Sequence, residues 1–464
     1  MQGPHSTPRG RVSRGIKPAG TSETGSNCTR TRRIPVFGGL FPIPTRLSVK
    51  IGPCSERSWP GTCAFKSAVC SRRNTYVMRS FPHHNHFRRR TVRTVLLVHN
   101  FPTPYRMPLF ERLGNIWDLT VWFCSPGEIG RKWSNSSTHI DGVNTRVLPS
   151  VRLGPLIVNY TVAFEAARAQ VDLVVISDDL ANVFASLCMT IVFKLRSIPV
   201  VLWTERVLGS VTFPGQSSIR HLAYKWARKF LVCSADAIVC MSGEASVNEI
   251  KALTPRFPRI FKGTQVMPIN LLPPRQPRPD GAAGYLLFLG YFRPEKDIPA
   301  LVSAFRSVAT PDSVLVIAGD GPLRGELERL VKDIPNIVIR GYVTGDEKAR
   351  LIMSAGALIL PSMWESWGLV VNEGLHFGTP IIACEGIGAA ELVKDGVNGL
   401  IFQWDAEGMG LRAVLRRFLS DASLRGRLVA GARETSSEVI SDVQYGTRHI
   451  EEAIRSFDAG LESR

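Results

Sequence analysis

From Thr94 onward the chain alternates short apolar runs, rich in Val, Ile and Leu, with longer segments of helical period. A first set of runs, Thr94–Val98, Leu119–Phe123, Asp172–Ile176, Pro199–Trp203, Asp236–Cys240 and Thr264–Met267, reads as strands. A second set follows at Tyr285–Leu289, Ser313–Ala318, Asn336–Ile339, Ala357–Leu360, Pro380–Ala383 and Gly399–Phe402. Runs that are apolar throughout, rather than alternating, predict strands covered on both faces, as in a parallel sheet with helices on each side. Between the sets lies the proline-dense stretch Leu271-Leu-Pro-Pro-Arg-Gln-Pro-Arg-Pro-Asp-Gly281. The pattern therefore predicts an α/β protein of two doubly wound domains facing across a cleft: 93–270, a linker over 271–284, then 285–440. A last helical stretch near Gln444 to Phe457, within 441–464, is placed to cross back to the first domain.

Charge changes this picture only at the N-terminus. The formal net charge is +18, but residues 1–93 hold 18 Lys and Arg against Glu23 and Glu56, leaving 39 basic and 37 acidic residues in the rest. The basicity belongs to the extension 1–92, so no nucleic-acid partner is expected for the body. The extension is rich in Arg, Ser, Pro and Gly without periodicity and is expected to be disordered. Three readings of it stay open: sequence upstream of a true start near Met78, an Arg-rich targeting segment, or a basic arm. The best apolar run, Leu180 to Phe193, is too short to span a bilayer and is interrupted by Asn182 and Ser186. The expected setting is cytoplasmic, with peripheral contact at the inner face of the cell membrane open. Cys124, Cys188, Cys233, Cys240 and Cys384 lack CxxC spacing and are expected to be reduced residues in apolar surroundings; no metal site is expected.

The candidate chemistry lies in Trp364-Glu365-Ser366-Trp367-Gly368-Leu369-Val370-Val371-Asn372-Glu373-Gly374. It follows a buried strand closed by Pro361 and Ser362, and a helix starting near Ser366 would aim free backbone N–H groups at an anion. Glu365 then lies in the loop and Glu373 on the helix, one at each side of a diphosphate carrying polyhydroxylated groups. A rival feature is Gly319-Asp-Gly321-Pro-Leu-Arg-Gly325, which has a dinucleotide-fingerprint look. It follows the second strand of its unit rather than the first, and Pro322 reads more simply as the first residue of a helix. Asp178-Asp179 does not form the Asp-x-Asp pattern of metal-dependent transferases and reads as acids capping a helix.

Several motifs occur in order: Gly290-Tyr-Phe-Arg-Pro-Glu-Lys296, Ala318-Gly-Asp-Gly-Pro322, Asn336-Ile-Val-Ile-Arg-Gly-Tyr-Val343, Leu360-Pro-Ser-Met-Trp-Glu365, the Glu365/Glu373 pair, Gly378-Thr-Pro, and Glu385-Gly-Ile-Gly-Ala-Ala-Glu391. Through them residues 285 to about 402 resemble glycosyltransferase family 4, the "group 1" retaining enzymes of the GT-B fold, with two Rossmann-like domains. The resemblance implies a nucleotide-sugar donor, no cofactor, and front-face attack in which the departing phosphate takes the acceptor's proton. It implies that Lys296 faces the leaving diphosphate and that Glu365 reaches the donor sugar. Glu373 would bind the ribose hydroxyls, and Tyr342 and Val343 would contact the base. Gly290, Ser366, Trp367, Gly368 and Leu369 complete the donor side, with the N–H groups of Gly368 and Leu369 on the diphosphate. The family usually has arginine after the glycine where this chain has Tyr291, so Arg293 is the alternative phosphate contact; it usually has Phe at Trp367.

The first domain matches more loosely, through His99-Asn-Phe-Pro-Thr-Pro-Tyr-Arg-Met-Pro-Leu-Phe110 and Ala235-Asp-Ala-Ile-Val239, which look like surface-polysaccharide members. Tyr105, Arg106, Glu205 and His99 are its acceptor-side candidates. Arg106 also reads as a structural residue at a helix start, and His99 as a satisfied buried histidine. The expected partners are a nucleotide-sugar donor and a glycan or lipid-linked acceptor. A nucleotide-sugar epimerase and a non-catalytic nucleotide-sugar-binding protein remain as other classes.

Overall fold

The computed structural model describes residues 93–127, 138–154, 156–205, 218–254, 259–274, 284–435 and 437–458. The basic extension and most of the proline-dense linker lie outside them.

Among the described residues nine strands form in the first lobe: β1 (Thr94–His99), β2 (Asp118–Phe123), β3 (Asn144–Val147), β4 (Val151–Leu153), β5 (Leu156–Val158), β6 (Leu173–Ser177), β7 (Val200–Thr204), β8 (Ala237–Cys240) and β9 (Arg259–Lys262). Seven of them build a parallel sheet in the order β3-β2-β1-β6-β7-β8-β9, while β4 and β5 pair as an antiparallel hairpin. The second lobe contains β10 (Leu286–Leu289), β11 (Leu315–Ala318), β12 (Ile337–Arg340), β13 (Ala357–Leu360), β14 (Ile381–Cys384) and β15 (Gly399–Phe402), ordered β12-β11-β10-β13-β14-β15. All pairs in that sheet are parallel. Both sheets reverse strand order once, between β1 and β6 and between β10 and β13. Those reversals open a crevice beyond the carboxyl ends of the strands. Every residue of β1, β6, β7, β10, β11, β13 and β14 is buried, which explains why these segments are apolar apart from the strand-end residues Thr94, His99, Ser177 and Thr204. Each such side chain contributes roughly 1.5–3 kcal/mol of burial.

The sequence reading of Thr264–Met267 as a strand is corrected. The last strand of the first sheet is β9, and Thr264–Met267 is extended chain passing between the lobes, outside either sheet. Its apolar character has another cause. Thr264, Gln265, Val266 and Met267 are buried because both lobes enclose them: Asn372 Nδ2 donates to the Gln265 carbonyl at 3.1 Å, and Met267 N to the Ile440 carbonyl at 3.0 Å. Conversely β3, β4 and β5 were not expected. β3 alternates exposed and half-buried positions at the sheet edge, and β4 is fully exposed, so neither shows an apolar run.

The helix Val443–Arg455 follows the second lobe in sequence but packs on the first, where Ile450, Ala453 and Ile454 join the core under β1 and β2. Arg112 Nε holds Glu451 at 3.0 Å, and Arg93 Nη2 donates to the Phe457 carbonyl at 2.9 Å. The chain therefore crosses between lobes twice.

Candidate active site

On the second lobe the site grows from the ends of β10 and β13. After β10 the loop 290–293 lies against the loop after β11: Phe292 N donates to the Asp320 carbonyl at 2.9 Å, and a Cβ on Gly319 would meet the Gly290 carbonyl oxygen at 1.9 Å. Gly319 and Gly321 are thus required for close loop packing, which leaves the dinucleotide reading without an open glycine cradle. Nor is Pro322 the first helical residue, since that helix begins at Arg324.

A single 3-10 turn, Pro294–Lys296, follows, and Asp297 adopts a left-handed conformation with φ 47° so that the helix Ile298–Val308 can start at once. This turn presents Lys296, whose Nζ lies 2.6 Å from Glu365 Oε1. Ser362 Oγ donates to the other carboxylate oxygen at 3.3 Å. Arg293 lies apart from that pair: its guanidinium sits over the Tyr291 ring at 4.9 Å and near Glu295 at 3.9 Å.

The helix carrying Glu373 runs Leu369–His376, three residues later than the sequence reading placed its start. The delay has a backbone cause. Gly388 N donates to the Glu365 carbonyl at 3.1 Å and Ala389 N to the Trp367 carbonyl at 2.9 Å, so residues 365–367 are tied to the loop after β14. Gly368, at φ 102°, then turns the chain into the helix, a geometry that favours glycine. Leu369 is consequently the first residue whose N–H points out of the helix start. Trp367 is buried and its indole N–H donates to Asn372 Oδ1 at 2.8 Å. Its ring belongs to the core of the second lobe, and a stacking contact with a ligand is not what holds it.

Glu373 is only 3% exposed. Lys348 Nζ meets its Oε1 at 2.8 Å, while its Oε2 is buried with no hydrogen-bond partner among the described residues. An unpaired buried carboxylate oxygen is costly, so this atom favours an incoming donor group. At the end of β12, the Tyr342 ring is half exposed and Val343 is buried.

On the first lobe a cavity is lined by His99, Asn100, Ser177, Asp178, Asp179, Trp203 and Glu205, and Ser366 reaches it from the second lobe. It lies at the β1/β6 reversal. Arg106 is buried and ion-paired with Glu205, with its guanidinium 5.2 Å from both the Trp203 and Tyr105 rings. Arg106 is thus ion-paired within the first lobe and lies beside the cavity-lining Glu205 and Trp203. Burial pushes the Glu205 carboxyl above its ordinary pKa, opposed by Arg106 and by the Trp203 indole N–H, which donates to Oε1 at 2.7 Å. Tyr105 packs against the core of the second lobe and helps join the two.

Of the two adjacent aspartates, Asp179 does cap: its side chain accepts from Ala181 N at 3.3 Å, and Asn100 Nδ2 donates to it at 2.7 Å. Asp178 does not. It is buried and bound to Arg228 Nε at 2.8 Å and Thr204 Oγ1 at 2.7 Å.

His99 is buried with its ring edge-on to Phe110 and Trp203, and burial, helped by Arg106, lowers its pKa from 6.5 to about 3. It is neutral in the folded protein at ordinary pH. Between pH 6.5 and about 3 the unfolded chain binds this proton and the folded one does not, so stability is full above 6.5 and falls with acidification by about 1.4 kcal/mol per pH unit. Denaturant titrations at pH 7 and pH 5 should show the His99→Phe variant losing less stability over that interval than wild type.

The sequence offered no signal for three of these contacts. Lys348 lies on an otherwise ordinary amphipathic helix. Asn372 joins Trp367 to both segments that cross between the lobes, through the Gln265 and Ile440 carbonyls. Glu391 meets Lys262 of the first lobe at 3.1 Å. Each depends on residues distant in the chain. Among the described residues no cluster of three or more His, Cys, Asp or Glu is arranged to hold a metal ion.

This arrangement coincides with a family match: residues 274–435 fit the model "Glycosyl transferases group 1". That segment belongs to the group 1 glycosyl transferases. The group 1 segment accounts for nearly all of the second lobe, including Lys296, Glu365 and Glu373. An uncharacterized glycosyltransferase of Methanocaldococcus jannaschii is 31% identical over 160 residues, 34% of this chain and 41% of its own length. The sulfoquinovosyl transferase of Arabidopsis thaliana is 26% identical over 314 residues, 62% of this chain and 57% of its own. The chain thus spans about half the length of these relatives. Among solved structures, Anabaena HepE in complex with UDP and glucose superposes with a TM-score of 0.60 at 16% identity, covering 78% of this chain and all of that one. That likeness concerns the fold, two facing Rossmann-like lobes of the GT-B type, as the group 1 resemblance implied.

Proposed function

We propose that the protein is a retaining, metal-independent glycosyltransferase that moves a sugar from a nucleoside diphosphate-sugar to a hydroxyl of a glycan or lipid-linked acceptor in cell-surface glycan or glycolipid assembly. The observation that carries this reading is the Lys296–Glu365 pair, 2.6 Å apart, beside the start of the helix Leu369–His376 at the β10/β13 reversal. An ammonium and outward N–H groups there stabilise the negative charge that grows on a departing diphosphate. Glu365 faces the sugar, where it balances positive charge developing at the anomeric carbon. Glu373 Oε2 accepts a ribose hydroxyl once the side chain opens to the ligand, and Tyr342 lies against the base. In this reading the first-lobe cavity takes the acceptor, next to Ser366, and water is excluded because hydrolysis is the competing reaction. Relatives named as glycosyltransferases, and a fold neighbour solved with UDP and glucose, support the donor class.

The expected result is that one nucleoside diphosphate or its sugar raises the melting temperature with EDTA present. At a hundredfold excess over Kd the stabilisation is about 2.7 kcal/mol. The same donor incubated alone should yield no isomer, and transfer to an acceptor should persist in EDTA. Donor isomerisation would favour an epimerase. If no nucleotide shifts the transition, the reading fails.

A further inference from the structure

The turn Pro294–Lys296 passes into the helix Ile298–Val308 through one residue, Asp297, which serves both. Its N–H donates to the Pro294 carbonyl at 3.0 Å, and its carbonyl accepts from Leu301 N at 3.2 Å. This double role places it in the left-handed region, at φ 47° and ψ 41°, as one of two non-glycine residues with positive φ among the described residues. Glycine reaches that region without steric cost, so the aspartate side chain has another reason to be there. Helix capping is not the reason. An aspartate in this place ordinarily accepts from the N–H two or three residues on, but Asp297 makes no such bond, and Pro299 has no N–H to offer. Its Oδ2 accepts instead from Trp404 Nε1 at 2.9 Å, from a residue 107 positions away.

Trp404 follows β15, and its place is fixed on both sides. Before it, Phe402 is buried in the core of the second lobe. After it, the Asp405 carboxylate accepts from Met409 N and Gly410 N, both at 2.7 Å, which ties the loop to the helix Met409–Ser420. Leu411 and Leu415 of that helix share a core with Leu301 and Phe305 of Ile298–Val308. The indole N–H is therefore delivered to Asp297 by two packed helices. Asp297, Trp404 and Pro361 line one crevice, and Pro361 opens the loop that carries Glu365. The turn is pinned from that loop as well, where Met363 N donates to the Glu295 carbonyl at 3.1 Å.

We infer that the Asp297–Trp404 hydrogen bond positions Lys296, which makes Trp404 a positioning residue for the transfer proposed above. It acts through the backbone. Asp297 is the next residue after Lys296, and holding its left-handed conformation fixes the direction in which the turn presents the lysine stem toward Glu365, 2.6 Å from Nζ. A lysine stem is long and flexible, so its ammonium stays beside a departing diphosphate only if the main chain beneath it is held. Misplacement of a catalytic group by about 1 Å costs up to roughly 10²-fold in rate. The inference rests on the catalytic reading of Lys296.

The test measures initial rates of nucleoside diphosphate release by the full-length protein, with UDP-glucose, GDP-mannose or ADP-glucose, whichever stabilises it most. Trp404→Phe keeps an aromatic ring and removes the N–H, so kcat should fall about tenfold while KM stays within about twofold. Asp297→Gly keeps the left-handed backbone but loses the acceptor, and should fall as far. Asp297→Asn retains an acceptor oxygen and tolerates the same conformation, so its kcat should stay within about twofold of wild type. The bond lies at the surface, and all three variants should melt within about 2 °C of wild type. In a Lys296→Ala background Trp404→Phe should have no further effect, because no ammonium is left to position. Wild-type kcat for Trp404→Phe or Asp297→Gly overturns the inference. So does full additivity with Lys296→Ala, or an Asp297→Asn variant as slow as Asp297→Gly, which would assign the effect to charge. Each of those results leaves the catalytic reading standing, whereas wild-type kcat for Lys296→Ala removes that reading and this inference together.

Discussion

Replacing Lys296 with alanine should reduce turnover by roughly 10²–10³-fold while leaving the melting temperature almost unchanged. The asymmetry follows from where the lysine sits. The pair with Glu365 is partly exposed, at 17% and 24% for the two side chains, and an ion pair of that kind contributes about 0–1 kcal/mol to folding. Its proposed worth in catalysis is larger because the ammonium is fixed where charge develops on the leaving diphosphate. The variant also leaves the Glu365 carboxylate with only Ser362 Oγ as a described partner, adding a negative charge beside a negative leaving group. Lys296→Ala combined with Glu365→Gln should therefore lose less than the product of the two single effects. Initial rates of nucleoside diphosphate release, measured with the donor found by thermal shift, decide this. An alanine variant with wild-type kcat would remove Lys296 from the mechanism.

Arg228→Ala should have the opposite profile, a large loss of stability without any direct contact with substrate. Arg228 is buried and bonded to Asp178, to Glu249 and, at 3.4 Å, to Thr204 Oγ1. It ties the helices Ser218–Ser234 and Gly243–Leu253 to the ends of β6 and β7. Removing the cation takes the counterion from the buried Asp178 carboxylate and a hydrogen-bonding partner from Glu249, and breaking such a pair from one side costs about 3–5 kcal/mol. Urea denaturation should show that cost near neutral pH. It should shrink as the pH falls, because burial raises the pKa of a carboxylate without a counterion and protonation discharges it. Replacing Arg228, Asp178 and Glu249 together by apolar residues of similar volume should recover much of the stability. A loss under 1 kcal/mol for Arg228→Ala would contradict the burial argument.

Much of the second lobe could be read along the chain because its determinants are local. β10, β11, β13 and β14 are buried on both faces, so each is an unbroken apolar run. Glu365, Gly368 and Glu373 lie within nine consecutive residues, so their order across a loop and a following helix is readable along the chain. Where the reading slipped, the cause was nonlocal. Thr264–Met267 has the composition of a strand because two lobes bury it. The helix expected from Ser366 begins at Leu369 because residues 365–367 are hydrogen-bonded to the loop after β14. β3 went unseen because an edge strand needs no apolar face.

By itself, then, the sequence determined two doubly wound units and the order of the loop residues that carry the candidate chemistry, since hydrophobic period and glycine placement act over a few residues. Tertiary structure alone decided the pairings: Lys296 with Glu365, Lys348 with Glu373, Arg106 with Glu205 and Arg228 with Asp178. It also decided that Trp367 supports the core. Ion pairs, burial and surface patches arise from residues that folding brings together across tens of positions, and their energies depend on distance and solvent access, which no local pattern encodes.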